Sequence, residues 1–273
     1  SGKRTGAIKV GEEPEGVKLS PDGKTAYVTS EVASLVHVVD LTSGKVAKNI
    51  PAGSGMGGGS SDAATTLIAL TSNLASANTL LIGNKGEDSV SFVDLESGAQ
   101  CARVATGKAP HEIAISPDGK QAAVVAYGGT TIDIFDVKSA KLAKRIDIAP
   151  NAGPHGIVWL ASDRIVVAAD RSNSLVILNP RKGSFKYAPT GQLGSHMVVT
   201  SMDKRFAYVP NILSETVSII DLKTAKKTRD IAVGGNPEGA AISRDGKYLW
   251  VGDNSKPQVR VIDLKTGETI VAL

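Results

Sequence analysis

An all-β chain arranged as a six-bladed β-propeller of four-stranded antiparallel blades is the fold that the sequence predicts, and three observations predict it. One ending recurs six times: Val38-Val39-Asp40-Leu41, Phe92-Val93-Asp94-Leu95, Ile134-Phe135-Asp136-Val137, Val176-Ile177-Leu178-Asn179, Ile219-Ile220-Asp221-Leu222 and Val261-Ile262-Asp263-Leu264. Its polar residue advances by 54, 42, 43, 42 and 42 residues, so one unit carries an insertion. Each period holds short stretches of period-two alternation, and a Ser-Pro-Asp-Gly turn recurs at Ser20 to Gly23 and Ser116 to Gly119. A four-stranded unit cannot bury both faces alone, and closing six of them radially leaves only short, protected edges.

In chain order, Arg4 to Val10 reads as a strand that resembles Thr228 to Val233. The first full unit has strands over 16–20, 25–30, 35–41 and 45–50, with Asp40 placed to cap the turn after its third strand. The insertion is Gly53-Ser54-Gly55-Met56-Gly57-Gly58-Gly59-Ser60-Ser61, which has the composition of a spacer. With Met56 inside it, the stretch reads as an engineered join of former termini in a circular permutant; a natural loop is the alternative. Residues 1–273 then form a single domain, in which both 3–10 and 268–273 look like the fourth strand of the last unit, and only one can pair there. The unit opening at Thr65 departs most from the pattern, with Thr71 to Asn78 in place of the Ser-Pro-Asp-Gly turn.

Composition narrows the function. The 29 glycines and 4% aromatics suit many tight turns between short strands. The net charge of +4 is dispersed rather than gathered into a stripe, which argues against nucleic-acid binding. No uninterrupted apolar run of about 18 residues argues for a transmembrane helix. Cys101 is the only cysteine, so an internal disulfide and a Cys-rich metal site are excluded, and its setting reads as a half-buried thiol on an outer strand.

Tyr27-Val28-Thr29-Ser30, Tyr208-Val209-Pro210-Asn211, the Ser-Pro-Asp-Gly turns and the Val-Asp-Leu-Lys-Thr-Gly endings resemble the YVTN-type β-propeller repeats of bacterial, often exported, proteins. The resemblance implies a periplasmic or secreted protein and a propeller fold, and is weak for function. It also implies that the first strand of each blade lies innermost, so that the residues opening those strands ring one mouth of a central channel.

One position opening those strands changes identity informatively. It holds Glu15, Thr66, His111, His155, His196 and Glu238, so three of the four histidines share it on consecutive blades. Imidazoles converging without cysteine suit zinc, copper, iron or nickel, with a carboxylate as fourth ligand or general base. An open coordination position would lower the pKa of bound water or polarise a carbonyl. The ends of the second strands, Glu31, Asn84, Lys85, Tyr127, Asp170, Arg171, Asn211, Asp253 and Asn254, are expected at the same mouth. Arg171 is the candidate clamp for an anionic or carbonyl substrate, Tyr127 a candidate acid or base, and Glu15 or Glu238 the base or auxiliary ligand. His37 is off this register and is expected to pack between blades.

The pattern is similar in kind to the amidating lyase of peptide hormones, a propeller whose zinc is held by three histidines. It is also similar to gluconolactonase-type enzymes with a channel calcium, although histidine is a poor calcium ligand. The first reading is therefore a metal-dependent hydrolase or lyase acting on a small carbonyl or lactone substrate in the channel, as a monomer. The second is a non-catalytic binding or scaffold propeller. A haem-carrying redox partner lacks a Cys-x-x-Cys-His site and would need non-covalent cofactor binding.

Overall fold

The computed structural model describes residues 6–12, 14–20, 22–30, 35–51, 69–70 and 79–273. The glycine-rich stretch 53–61, Thr65 and Thr66, Thr71 to Asn78, Glu31 and the side chain of Glu15 lie outside the described residues.

The fold is a six-bladed β-propeller, each blade a four-stranded antiparallel sheet with strands in sequence order. The first blade is β1 (Pro14–Leu19), β2 (Thr25–Ser30), β3 (Leu35–Asp40) and β4 (Lys45–Pro51); the second is β5 (Ala69–Leu70), β6 (Thr79–Asn84), β7 (Ser89–Asp94) and β8 (Gln100–Ala105). The third is β9 (Pro110–Ile115), β10 (Gln121–Ala126), β11 (Thr131–Asp136) and β12 (Lys141–Asp147); the fourth is β13 (Pro154–Ala161), β14 (Arg164–Ala169), β15 (Ser174–Leu178) and β16 (Phe185–Pro189). The fifth is β17 (Val199–Thr200), β18 (Phe206–Asn211), β19 (Thr216–Asp221) and β20 (Lys226–Ala232); the sixth is β21 (Pro237–Ile242), β22 (Tyr248–Asp253), β23 (Gln258–Asp263) and β24 (Thr269–Ala272). The chain forms two compact units, Ser1–Asp147 and Ile148–Leu273, with three blades in each. Among the described residues no helix is long and apolar enough to cross a membrane.

The core lies between blades, which is why the middle strands are apolar on both faces. Leu80 and Ile82 of β6 pack with Tyr27, Val36 and Ile50 of the first blade, while Leu81 between them packs with Ile113, Val124 and Phe135 of the third. The second unit repeats this: Ala207 and Val209 of β18 face Val166 and Leu175, and Tyr208 faces Leu249 and Val251. Phe92 and Phe135 meet edge to face at 6.1 Å between ring centres, adding about 1 kcal/mol to the burial.

The residue at the end of each third strand, or just past it in the case of Asn179, caps the following turn, as its spacing predicts. Oδ1 of Asp40, Asp94, Asp136, Asn179, Asp221 and Asp263 accepts backbone N–H bonds from Thr42, Ser97, Ser139, Arg181 with Lys182, Lys223 with Thr224, and Lys265 with Thr266, at 2.7–3.2 Å.

Three local expectations are settled or changed. The C-terminal segment closes the last blade as β24, whereas residues 6–10 form no strand; Val10 instead packs against Ala26, Val28 and Val39 of the first blade. His37 is buried on β3, where Nε2 accepts the Gly11 N–H at 3.0 Å and Nδ1 lies 2.8 Å from Asn49 Oδ1 on β4. Cys101 is on the outermost strand of its blade and is exposed rather than half-buried, because β8 has no further strand to cover it.

Candidate functional site

Glu15, His111, His155 and Glu238 sit on β-bulges, whereas His196 stands just before its first strand. In β9, Pro110 opposes Ala126 and Ile113 opposes Val124, so His111 and Glu112 together face one residue of β10. The same two-against-one register places Glu15 and Gly16 in β1, His155 and Gly156 in β13, and Glu238 and Gly239 in β21. A bulge turns a side chain out of strict alternation and frees a backbone N–H from the ladder. Gly156 uses its freed N–H on the next blade, donating to the His196 carbonyl at 2.9 Å.

This link brings two imidazoles together in the second unit. The His155 and His196 rings stack with centres 3.6 Å apart and planes tilted by 36°. Glu238 Oε1 lies 3.7 Å from His196 Nε2, and the two side chains are 36% and 15% exposed. Three consecutive blades thus contribute one group each to a single cluster. His155 is buried, and Nδ1 of His196 is buried with no hydrogen-bond partner among the described residues. In the first unit His111 is buried with its ring edge-on to Tyr127 at 5.6 Å, and Glu112, next in the chain, is also buried. Among the described residues no group of three or more His, Cys, Asp or Glu side chains is arranged to hold a metal ion.

The second-strand ends divide into two kinds. Arg171 is exposed and Asp170 half-buried in the turn after β14, and Asn254 is exposed. Asn84, Asn211 and Asp253, by contrast, point into their own blades. Asn84 Nδ2 donates to Ser89 and Ser91 at 3.0 and 2.9 Å, Asn211 Nδ2 donates to Thr216 and Ser218 at 3.1 and 2.9 Å, and Asp253 pairs with Arg260 at 2.8 Å. Hydrogen bonds from Ser255 and the Arg260 guanidinium hold the Asp253 carboxyl far below the usual carboxylate range. These three brace the blade interior through the bonds just described.

Their partners Ser91, Ser218 and Arg260 share a place in the third strands with His37, Asp133 and Val176: all six stand third in β3, β7, β11, β15, β19 and β23. Five of these six are polar, a buried seam the sequence reading passed over. Its strongest link is Asp133, wholly buried, which accepts Arg145 Nε at 2.6 Å and a second guanidinium N–H at 2.8 Å, and also the Gly107 N–H at 2.7 Å.

Comparisons with known proteins agree with the repeat reading. The YNCE-like β-propeller family matches residues 58–180, and the cytochrome D1 heme domain family matches residues 164–272, which include His196 and Glu238. The protein NirF of Stutzerimonas stutzeri is 38% identical over 80 residues, 29% of this chain and 20% of that protein. The uncharacterized protein YncE of Salmonella typhi is 25% identical over 188 residues, 67% of this chain and 53% of YncE. The match therefore spans about half the length of YncE and a fifth of NirF. Among solved structures, hydrazine synthase of Kuenenia stuttgartiensis superposes with a TM-score of 0.74 at 22% identity, over 97% of this chain and 81% of that one. A functionally unknown protein of Desulfotomaculum acetoxidans gives 0.73 at 13% identity, over 91% and 79%. At such identities these two structures speak for the fold alone.

Proposed function

We propose that this chain, a β-propeller of the YVTN type, holds a transition-metal centre through the imidazoles at the openings of its first strands. The observation that carries the reading is the cluster of His155, His196 and Glu238, two stacked imidazoles and a carboxylate delivered by three successive blades. The donor set fits: imidazole nitrogen suits zinc, copper, iron and nickel, whether as a bare ion or as iron in a tetrapyrrole. The buried Nδ1 of His196 is a nitrogen that no described protein group satisfies, an expensive arrangement for a structural histidine. His111 occupies the same repeat position in the other unit and is a candidate ligand there, with Tyr127 edge-on to its ring.

The match to the cytochrome D1 heme domain family over His196 and Glu238 supports the tetrapyrrole form, held without covalent attachment since no Cys-x-x-Cys-His occurs. The bare-ion form would supply Lewis acidity for hydrolysis or elimination on a small carbonyl or lactone compound. There Glu238, beside His196, is the candidate base and Arg171 the candidate clamp, while in the other unit Tyr127 is the candidate acid or base and Glu15 the candidate auxiliary carboxylate. A periplasmic or secreted location and a monomeric state belong to the same proposal.

Tag-free protein analysed by plasma mass spectrometry and titrated with haemin, beside His155→Ala, His196→Ala and His111→Ala variants, tests it. Stoichiometric metal, or a Soret band that shifts on binding, lost in the His155 and His196 variants, is the expected result. Absence of both ligands in the wild type, or their retention in those variants, overturns it and leaves the binding-scaffold reading.

A further inference from the structure

The segment that brings His196 into its blade is not held by a strand ladder. β17 pairs with β18 only at Val199 and Thr200, and before it a single bridge joins Ser195 to Asn211. The backbone bonds around that bridge, from the His196 N–H to the Pro210 carbonyl at 3.0 Å and from the Ile212 N–H to the Gly194 carbonyl at 2.9 Å, are joined by a clasp from Asn173, which ends the turn after β14 in the left-handed conformation, φ 51°. Its carbonyl accepts the Thr190 N–H and hydroxyl, both at 2.9 Å. Its side-chain oxygen accepts the Gly194 N–H at 2.9 Å, two residues before His196. The Thr190 hydroxyl lies 2.8 Å from that of Ser195, and Ser195 donates to Asn211 Oδ1 at 2.9 Å. Thr190, Ser195 and Asn211 are all wholly buried.

The first unit repeats the arrangement. Asp88, also left-handed at φ 50°, accepts the Thr106 N–H on its carbonyl at 2.7 Å and the Ala109 N–H on its carboxylate at 2.8 Å, two residues before His111. The crossover leading to Glu238 differs. There Glu215, at φ 57°, holds Val233 and Gly234 through its backbone carbonyl alone, at 2.9 and 3.0 Å. A side-chain clasp thus occurs at the crossovers that end in His111 and His196, two of the three histidine positions, and is missing from the one that ends in Glu238.

We infer that Asn173 and Asp88 are positioning residues, which set the histidines of the following blades through a side-chain acceptor on the crossover. The inference deepens the metal-centre reading, because it names what fixes the imidazoles, and its first readout needs no metal. In protein labelled at histidine, the stacked rings shift each other's carbon-bound protons upfield. Asn173→Gly removes the acceptor while easing the left-handed backbone, and Asn173→Asp keeps an acceptor.

The expected result is loss of the upfield shift in Asn173→Gly with a thermal midpoint near wild type, and its return in Asn173→Asp. Where the wild type binds zinc or haemin, affinity should fall about 10- to 100-fold in Asn173→Gly and recover in Asn173→Asp. An unchanged shift in folded Asn173→Gly overturns the inference, whether or not the wild type binds metal. Should Asn173→Gly fail to fold, Asp88→Gly and Asp88→Asn, read at the His111 ring against Tyr127, decide on the same terms.

Discussion

Gly156 shows at the scale of one residue how the bulge and the site are joined. A Cβ added there would lie 2.6 Å from Met197 Cα and 2.7 Å from Val198 N, backbone atoms that cannot rotate aside. Gly156→Ala should therefore cost about 1–3 kcal/mol by chemical denaturation and drive the His155 and His196 rings apart. An unchanged denaturation midpoint would mean that the two strands are not in close contact. The buried Asp133 gives a second expectation. Removing its partner in Arg145→Ala leaves the carboxylate only the Gly107 N–H, and about 3 kcal/mol should be lost, the lower end for a buried pair because Arg145 is 42% exposed. Asp133→Leu combined with Arg145→Met should recover most of that loss; a double variant as unstable as the single one would place the cost in packing instead. The shared position was legible in the sequence, in Pro14-Glu15-Gly16, Pro154-His155-Gly156 and Pro237-Glu238-Gly239, but the bulge that the following glycine accompanies was not read from it. Nor was the inward turn of Asn84, Asn211 and Asp253. A polar residue at a strand end reads the same whether it faces a ligand or a serine across its own hairpin.

At the scale of elements, the turns were the most readable feature, because serine and aspartate at fixed offsets leave little choice of geometry. In four blades the serine hydroxyl donates to the aspartate of the turn, Ser20 to Asp22, Ser116 to Asp118, Ser201 to Asp203 and Ser243 to Asp245, at 2.5–2.6 Å. Those hydroxyls, helped by the backbone N–H two residues on, hold the four carboxyls below their ordinary 3.8. Backbone and hydroxyl donors do the same for Asp40, Asp94, Asp136 and Asp221 after the third strands. With the folded pKa below the unfolded one, the unfolded chain binds more protons in that range. The stabilisation is therefore present above pH 3.8 and is lost as the pH falls through the folded values. The thermal midpoint should drop progressively below about pH 4, and Asp118→Asn with Asp245→Asn should flatten the fall, because an amide still accepts the turn N–H but does not titrate. An identical acid profile in that variant would remove the turns from the explanation. What the elements hid was the side-chain clasp, because Asp88 and Asn173 lie outside every strand and read as ordinary turn residues.

Over the whole molecule the period decided the architecture, since a repeat of 42 residues with four alternating stretches has few closed solutions. It did not decide closure of the last blade, because 3–10 and 268–273 carry the same alternation, and alternation specifies a face but not a partner. The structure assigns the place to β24, which pairs Arg260 with Ala272 and Val261 with Val271, while Val259 and Leu273 exchange backbone bonds at 3.0 and 2.8 Å. All four residues of β24 are exposed, so the strand adds little apolar burial, and what it supplies is a cover for the edge of β23. Removing residues 268–273 should therefore lower the thermal midpoint only slightly, because Val261 and Ile262 remain packed among the middle strands. The uncovered edge of β23 would then present unpaired N–H and C=O groups, the surface on which strands of separate chains add to one another. Light scattering across a concentration series should show association of the truncated chain under conditions where the full chain scatters as one species. A truncated chain that unfolds outright would show that β24 supplies core stability, and one that stays monomeric would show that the β23 edge is protected by other means.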